Sequence, residues 1–316
     1  MPSSTSDSKD VSASAAIAIL LAALAVYFCV LEATMRLVVP LLSAGAQREL
    51  QDNRAALALR PTTSQGSRTV LVIGNSLLLS GVVGPQLRHS LAPRYAVQLY
   101  PVENTRFLDW YFGLRRLFAR GSRPAVVILC MNIRQLASNA TAGEAFAHQM
   151  MQMSDLMQVQ RLAGLDMMRT SDYFFANLSS WIGGRVYFRN GVLEKWVPHA
   201  SMLVAHFNEV DPTPITANPA INGRALEHLR QIRELCRSRG ASFIMLIPPA
   251  RSRNDPAPTI AVAAAKEGIP VLVPYGPGEM PVEAFSDGLH LNPQGALLFT
   301  ARVDQVLPSE LSAALF

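Results

Sequence analysis

Three short stretches of this 316-residue chain carry side chains whose types and spacing could do chemistry. The first is Val70-Leu71-Val72-Ile73-Gly74-Asn75-Ser76-Leu77. An apolar run ends there in a glycine, and a serine follows at the start of a turn. Ser76 would project from the carboxyl edge of a sheet, where ligands bind in open α/β folds. Outward-facing backbone N–H groups at that edge can stabilise an oxyanion. The second stretch is Phe285 to Gly295, with Asp287 and His290 three apart in a glycine-containing loop. Such a loop can hold a carboxylate against an imidazole and turn the other ring nitrogen outward. That is the orienting half of a Ser-His-Asp relay. The third is Leu129-Cys130-Met131-Asn132. An asparagine at a strand end can aim its side-chain N–H at an oxyanion formed on Ser76, worth about 3 kcal/mol when preorganised. Alone, each stretch has an ordinary structural reading: a capping serine, a surface turn, an Asx turn. Their force comes from falling at the same edge of one sheet.

That sheet is legible as runs of Val, Ile and Leu without alternation, the pattern of strands buried on both faces. The candidates are Thr69–Ile73, Ala96–Val102, Ala125–Cys130, Ala241–Ile247 and Pro270–Val273. Helical patterns lie between them. One is capped by Thr105 and runs to Gly121, one spans Asn222–Arg239 and stops at Gly240, and one spans Asn292–Val306. Strands alternating with helices predict an α/β fold with a doubly wound parallel sheet. Residues 133–220 break the alternation. They are Met-rich (Met150, Met151, Met153, Met157, Met167, Met168), then aromatic (Tyr173, Phe174, Phe175, Trp181, Tyr187, Phe188, Trp196). This insertion after the third strand reads as a packed helical subdomain, or more sharply as a cap lining a substrate groove. Part of it could rest on a membrane or a membrane partner.

The order of these motifs resembles the SGNH/GDSL hydrolase superfamily over residues 69–306, the insertion apart. Gly74-Asn75-Ser76 comes first, Asn132 follows the third strand, and Asp287-x-x-His290-Leu291-Asn292-x-x-Gly295 comes last. The resemblance implies an SGNH/flavodoxin-like three-layer fold. It also implies Ser76 as nucleophile, His290 as general base and Asp287 as its orienter. Asn132 and the backbone N–H of Ser76 would form the oxyanion hole, with Asn104 as a third contributor. Departures are visible. Asn75 stands where the GDS form has an acid, Glu103-Asn104-Thr105 replaces the glycine after the second strand, and Cys130 replaces the glycine two before Asn132.

Half of the residues are hydrophobic and only 16% are charged, below the roughly 25% of soluble domains. Part of that excess is one charge-free run, Val11–Leu31, of the length needed to cross a hydrocarbon core of ~30 Å. The layout read from the chain is a polar tail at 1–10, a transmembrane anchor at 11–35, a tether at 36–68 and a catalytic domain at 69–316. A cleavable signal peptide is the nearer rival, but its small-residue site, Ala44-Gly45-Ala46, lies past Glu32 and Arg36. Arg36 and Arg48 after the span favour a cytoplasmic domain, although that rule is weak for long domains. The layout resembles membrane-anchored bacterial SGNH proteins that work beside membrane-bound O-acyltransferases. That resemblance implies a single-pass protein of the inner membrane with its domain in the periplasm, and a carbohydrate polymer as substrate. The expected activity is a serine O-acyltransferase or esterase on acyl, above all acetyl, groups of an exopolysaccharide or cell-wall polymer. The alternative is a non-catalytic SGNH-like scaffold that binds polysaccharide or the acyltransferase. A third reading is a cytoplasm-facing lipid or thioester hydrolase.

Other chemistries find no support in the pattern. The net charge of +5 comes from dispersed arginines, with only Lys9, Lys195 and Lys266 as lysines, so nucleic acid is not an expected partner. There is no phosphate-binding loop, and Gly74, Gly81 and Gly84 lack dinucleotide spacing. His89, His148, His199, His206 and His228 form no ligand pattern, and Cys29, Cys130 and Cys236 are far apart. No cofactor, metal or disulfide is expected.

Overall fold

The five apolar runs form five parallel strands: β1 (Arg68–Gly74), β2 (Tyr95–Pro101), β3 (Val126–Cys130), β4 (Ser242–Leu246) and β5 (Val271–Leu272). The structure is a computed structural model that describes residues 13–197 and 218–315. The polar tail at 1–10 and the 198–217 part of the insertion lie outside the described residues. The strand order is β2-β1-β3-β4-β5. The missing alternation now has its cause. Leu71, Ile73, Val127, Leu129, Phe243 and Met245 point into one core, and Val70, Val72, Val126, Ile128, Ile244 and Leu246 into the other. Successive side chains of a strand face opposite ways, and here both directions are dry.

Helices cover both faces, giving the expected doubly wound, three-layer α/β fold. The first core is closed by α5 (Phe107–Ala119), α11 (Pro219–Arg237) and α12 (Ala257–Ala265). The second is closed by α3 (Ser76–Gly81), α4 (Gly84–Leu91) and α13 (Pro293–Leu315). Thr105 does not cap α5; Arg106 holds that position, and its N–H donates to Asp109 Oδ2 at 2.7 Å. Thr105 is instead a buried hub, donating to the Val102 carbonyl at 2.6 Å and accepting from Trp110 Nε1 at 2.9 Å.

The insertion after β3 is helical: α6 (Ile133–Leu136), α7 (Gly143–Gln149), α8 (Leu156–Ala163), α9 (Met167–Leu178) and α10 (Ser180–Trp196). Its methionines and aromatics divide. Phe146, Met150, Met151 and Tyr173 join the core around α5, whereas Met157, Met167, Met168 and Phe175 are exposed. The insertion is therefore packed onto the sheet layer through one set of residues and leaves a second set facing outward.

The N-terminal run forms α1 (Ala13–Leu42), whose most apolar 18-residue window has a mean hydropathy of 2.6 and is not buried by the protein. It is long and apolar enough to cross a membrane. The helix continues past residue 35 and packs against α10. Glycines permit that approach: Gly184 lies under Met35 and Val39, and Gly191 against the Leu42 backbone. Next comes α2 (Ala44–Leu57), capped by Ser43 Oγ, which accepts from Ala46 N at 3.2 Å. The 36–68 stretch is tied to the fold more closely than a tether needs to be. Ala56 sits in the first core and Glu49 is buried. Burial pushes the Glu49 carboxyl up to about 7, although the Tyr187 hydroxyl donates to it at 2.7 Å and Arg48 lies nearby.

Two outcomes follow from this packing. A Cβ at Gly74 would overlap the Cys130 carbonyl oxygen on the neighbouring strand, which cannot yield without opening the β1–β3 ladder. Gly74→Ala should lower stability by roughly 1–3 kcal/mol in urea unfolding of the full chain in detergent, and an unchanged midpoint would contradict the close approach. Glu49 binds its proton more tightly folded than unfolded. Its contribution is therefore fully present below its unfolded value and lost as pH rises through about 7. Glu49→Gln should flatten that loss, with the variant gaining on the parent in melts run above neutrality and not at acid pH.

Candidate active site

The loop before α13 is built almost entirely by its own polar side chains. Asp287 Oδ1 accepts from the backbone N–H of Leu289 and of His290, each at 2.6 Å. Ser286 N–H donates to the His290 carbonyl at 2.9 Å, and Phe285 bridges Leu291 in antiparallel fashion. Leu291 is buried in the second core. Asn292 then caps α13, accepting from Gly295 N at 2.9 Å, and its Nδ2 donates to the Glu283 carbonyl at 2.6 Å. Gly295 passes so close to the Ala284 carbonyl that a side chain would overlap it. Each fixed residue of the Asp-x-x-His-Leu-Asn-x-x-Gly string thus has a local task.

The result is a continuous relay. His290 Nδ1 is 2.8 Å from Asp287 Oδ2, and His290 Nε2 is 2.9 Å from Ser76 Oγ. Partial burial alone would raise the Asp287 carboxyl. Hydrogen bonds from the His290 backbone, the imidazole and the Leu289 N–H outweigh that burial and hold it below the usual range. An ionised Asp287 can only accept, so the proton of the ring sits on Nδ1 and Nε2 is left to accept from the Ser76 hydroxyl.

Ser76 opens α3 directly after β1, and Asn75 caps that helix. Asn75 is fully buried. Its Oδ1 accepts from Leu77 N at 3.0 Å and its Nδ2 donates to the Thr105 carbonyl at 3.0 Å. An aspartate could make the first bond but not the second. The departure from the GDS form is therefore a working part, because Asn75 ties the serine turn to the loop after β2. Gly74 pairs in register with Pro101 on one side and with Cys130 on the other. Asn104 and Asn132, which follow those two strand ends, therefore flank the serine turn.

Asn104 adopts the left-handed backbone, φ 60°. Glycine takes that region freely, and asparagine is among the few other residues that do so readily. The loop thus has a glycine-like turn without a glycine. Asn132 caps α6, its Oδ1 accepting from Gln135 N at 2.9 Å. This fixes the carboxamide by its oxygen and reserves the N–H2 for another acceptor. Cys130 is packed in the second core, and burial pushes its thiol up to about 12, so it is no rival nucleophile.

No protein-family model matches the chain, and no curated protein matches it. Among solved structures it is similar to the crystal structure of TesA, at 13% identity over 77% of this chain and 99% of that one, with a TM-score of 0.37. It is also similar to a member of the lipolytic protein G-D-S-L family from Veillonella parvula DSM 2008. The identity there is 10%, over 76% of this chain and 98% of that one, with a TM-score of 0.37.

Two supporting residues have partners that the sequence does not place beside them. Thr105 reads as a helix cap and is instead the acceptor for Asn75. Asp109 lies fully buried in α5 and accepts from Arg106 N at 2.7 Å and from Ala142 N at 2.8 Å, with burial pushing its carboxyl up to about 7. A lone acid within an apolar helix pattern is the only trace such a residue leaves in a sequence. A cavity of about 360 Å³ lies elsewhere, between α1, α2 and α10, lined by Met35, Glu49, Tyr100, Arg116, His148 and Tyr187.

The Asn75 bridge is directly testable. Asn75→Asp places a carboxylate against the Thr105 carbonyl, which should cost roughly 1–3 kcal/mol. The new carboxyl can donate only when protonated, so the deficit should be largest at neutral pH and shrink on mild acidification. A pH-independent deficit in urea melts would contradict the assigned bond.

Proposed function

We propose that this chain is a serine esterase or O-acyltransferase of the SGNH/GDSL type, held at a membrane by α1. The observation that carries the reading is the unbroken relay from Asp287 through His290 to Ser76. In the first half-reaction, Ser76 Oγ attacks the acyl carbonyl while His290 Nε2 takes its proton. The oxyanion is met by the Ser76 backbone N–H and the Asn132 carboxamide, with the Asn104 turn closing the third side. The tetrahedral intermediate collapses to an acyl-Ser76 ester as the imidazolium returns its proton to the leaving oxygen. In the second half-reaction, His290 deprotonates a sugar hydroxyl or a water, whose oxygen attacks the acyl carbonyl; Ser76 Oγ then leaves and takes the proton back from the imidazolium.

The substrate we favour is an acetylated exopolysaccharide or cell-wall polymer on the periplasmic side of a bacterial inner membrane, with a membrane-bound O-acyltransferase as partner. The anchor-plus-insertion layout supports this. So does the position of the relay at an open sheet edge, where the Asp287 side chain is half exposed. A long polymer can lie across such an edge, whereas a small ligand is normally enclosed.

Ser76→Ala should abolish hydrolysis of a nitrophenyl acetate reporter and labelling by a fluorophosphonate, with an unchanged unfolding midpoint. Retained turnover would remove Ser76 from the mechanism, and a parent protein that resists the probe would favour a binding scaffold. Asp287→Asn should lower kcat by up to ~10⁴-fold with little change in KM, because the amide can donate to Nδ1 and favour the wrong tautomer. A change confined to KM would assign Asp287 to binding instead.

A further inference from the structure

One face of the insertion is apolar, exposed and unclaimed by the site. The buried side of α9 is Thr170, Tyr173 and Ala176. Its other side carries Met167, Phe174 and Leu178 on one line of the helix and Met168 and Phe175 on the next, by spacings of seven and four, with exposed Asp172 at the edge of the second line. Met168 is 77% exposed, Phe175 53% and Leu178 58%. Ser171, a polar residue within that strip, turns its hydroxyl back to the Met167 carbonyl at 2.9 Å. A helix apolar on two sides, with one side bare, marks a contact surface.

The position of the face says what covers it. The corner between α9 and α10 is bound to α1 through one carboxylate. Glu32 accepts from Ser179 Oγ at 3.1 Å, Ser180 N at 2.7 Å and Trp181 N at 3.3 Å. Glu32 is the first charge after the apolar run 11–31. A helix that spans the bilayer with this run places Glu32 at the boundary, and the corner is carried to the same depth. Leu178, Phe175 and Phe174 lie within about one turn of that corner, and Trp181 begins the next helix. Tryptophan and other aromatics gather at this level of a membrane.

We infer that the apolar face of α9 from Phe174 to Leu178, with Trp181, rests in the headgroup region of the bilayer beside the anchor. The inference rests on reading α1 as a membrane span. The chain then meets the membrane at two points, a span and an adjoining surface contact, and the domain is held in one orientation instead of swinging on its anchor.

The test uses the full chain in vesicles of phosphatidylethanolamine and phosphatidylglycerol carrying lipids brominated high on the acyl chains. Cys130 and Cys236 are buried, so a fluorescent thiol probe can be placed singly. It is put on native Cys29, or, with Cys29→Ala, on Phe175→Cys, Leu178→Cys or Gln305→Cys, the last on α13 across the sheet. Probes at 175 and 178 should be quenched comparably to that at 29 and several-fold more than that at 305. Adding Phe175→Glu should remove most of the quenching at 178. Quenching at 29 with none at 175 and 178 would overturn the inference in favour of a protein partner for this face and leave the anchor standing. Absence of quenching at 29 would overturn the anchor and this contact together. Quenching at 178 that survives Phe175→Glu would also overturn the surface contact.

Discussion

The site depends on one hydrogen bond between residues 214 positions apart, Ser76 and His290. No local propensity can bring them together. The contact is made by two helices that share the second core. Phe299 of α13 packs over Gly81 of α3, and the Thr300 hydroxyl accepts from Val83 N at 2.9 Å. Asn292 sets where α13 begins, and Asp287 folds the loop in front of it so that the imidazole faces the serine. The geometry of the relay is therefore an outcome of core packing on one face of the sheet, and the polar residues do the final aiming. The histidine end of the contact is a short-range structure formed from neighbouring residues, whereas the serine end is also tied to the loop after β2 through Asn75.

Much of this could be read from the chain before any fold was known. The strands were visible because burial on both faces leaves nothing but Val, Ile, Leu and a few large apolar residues. Ser76, Asp287 and His290 were visible because a relay needs those side-chain types next to a strand end and a helix start. Asn104 was visible only as a missing glycine, and its left-handed backbone supplies the reason an asparagine serves there. The rest depended on distant partners. Thr105, Asp109 and the Asn75 amide act through groups that neither periodicity nor spacing places beside them. The packing of α2 was hidden too, because a polar helix that covers a sheet edge looks like a linker until its few buried residues, Ala56 and Glu49, are known.

The apolar excess of the composition resolves into three kinds of surface. One is the outside of α1, with none of its apolar window covered by protein. Another is the pair of cores flanking the sheet. The third is divided within the insertion, where Phe146 and Met150 serve the domain and Met168 and Phe175 do not. Hydrophobicity averaged over the chain cannot separate these, because the same side chains occur on an uncovered helix, in a protein interior and on an exposed face.

Asp109 has a mechanical consequence. Its two carboxyl oxygens accept from Arg106, which caps α5 one residue after Thr105, and from Ala142, which precedes α7 of the insertion. Asn75 in turn holds the Thr105 carbonyl. The insertion, the turn at Asn104 and the cap of the Ser76 turn are thus linked through one buried carboxyl group. A shift of the insertion must either carry the Asn104 turn with it or strip a buried carboxyl of one of its two N–H donors, so movement of the insertion is transmitted to the geometry around Ser76.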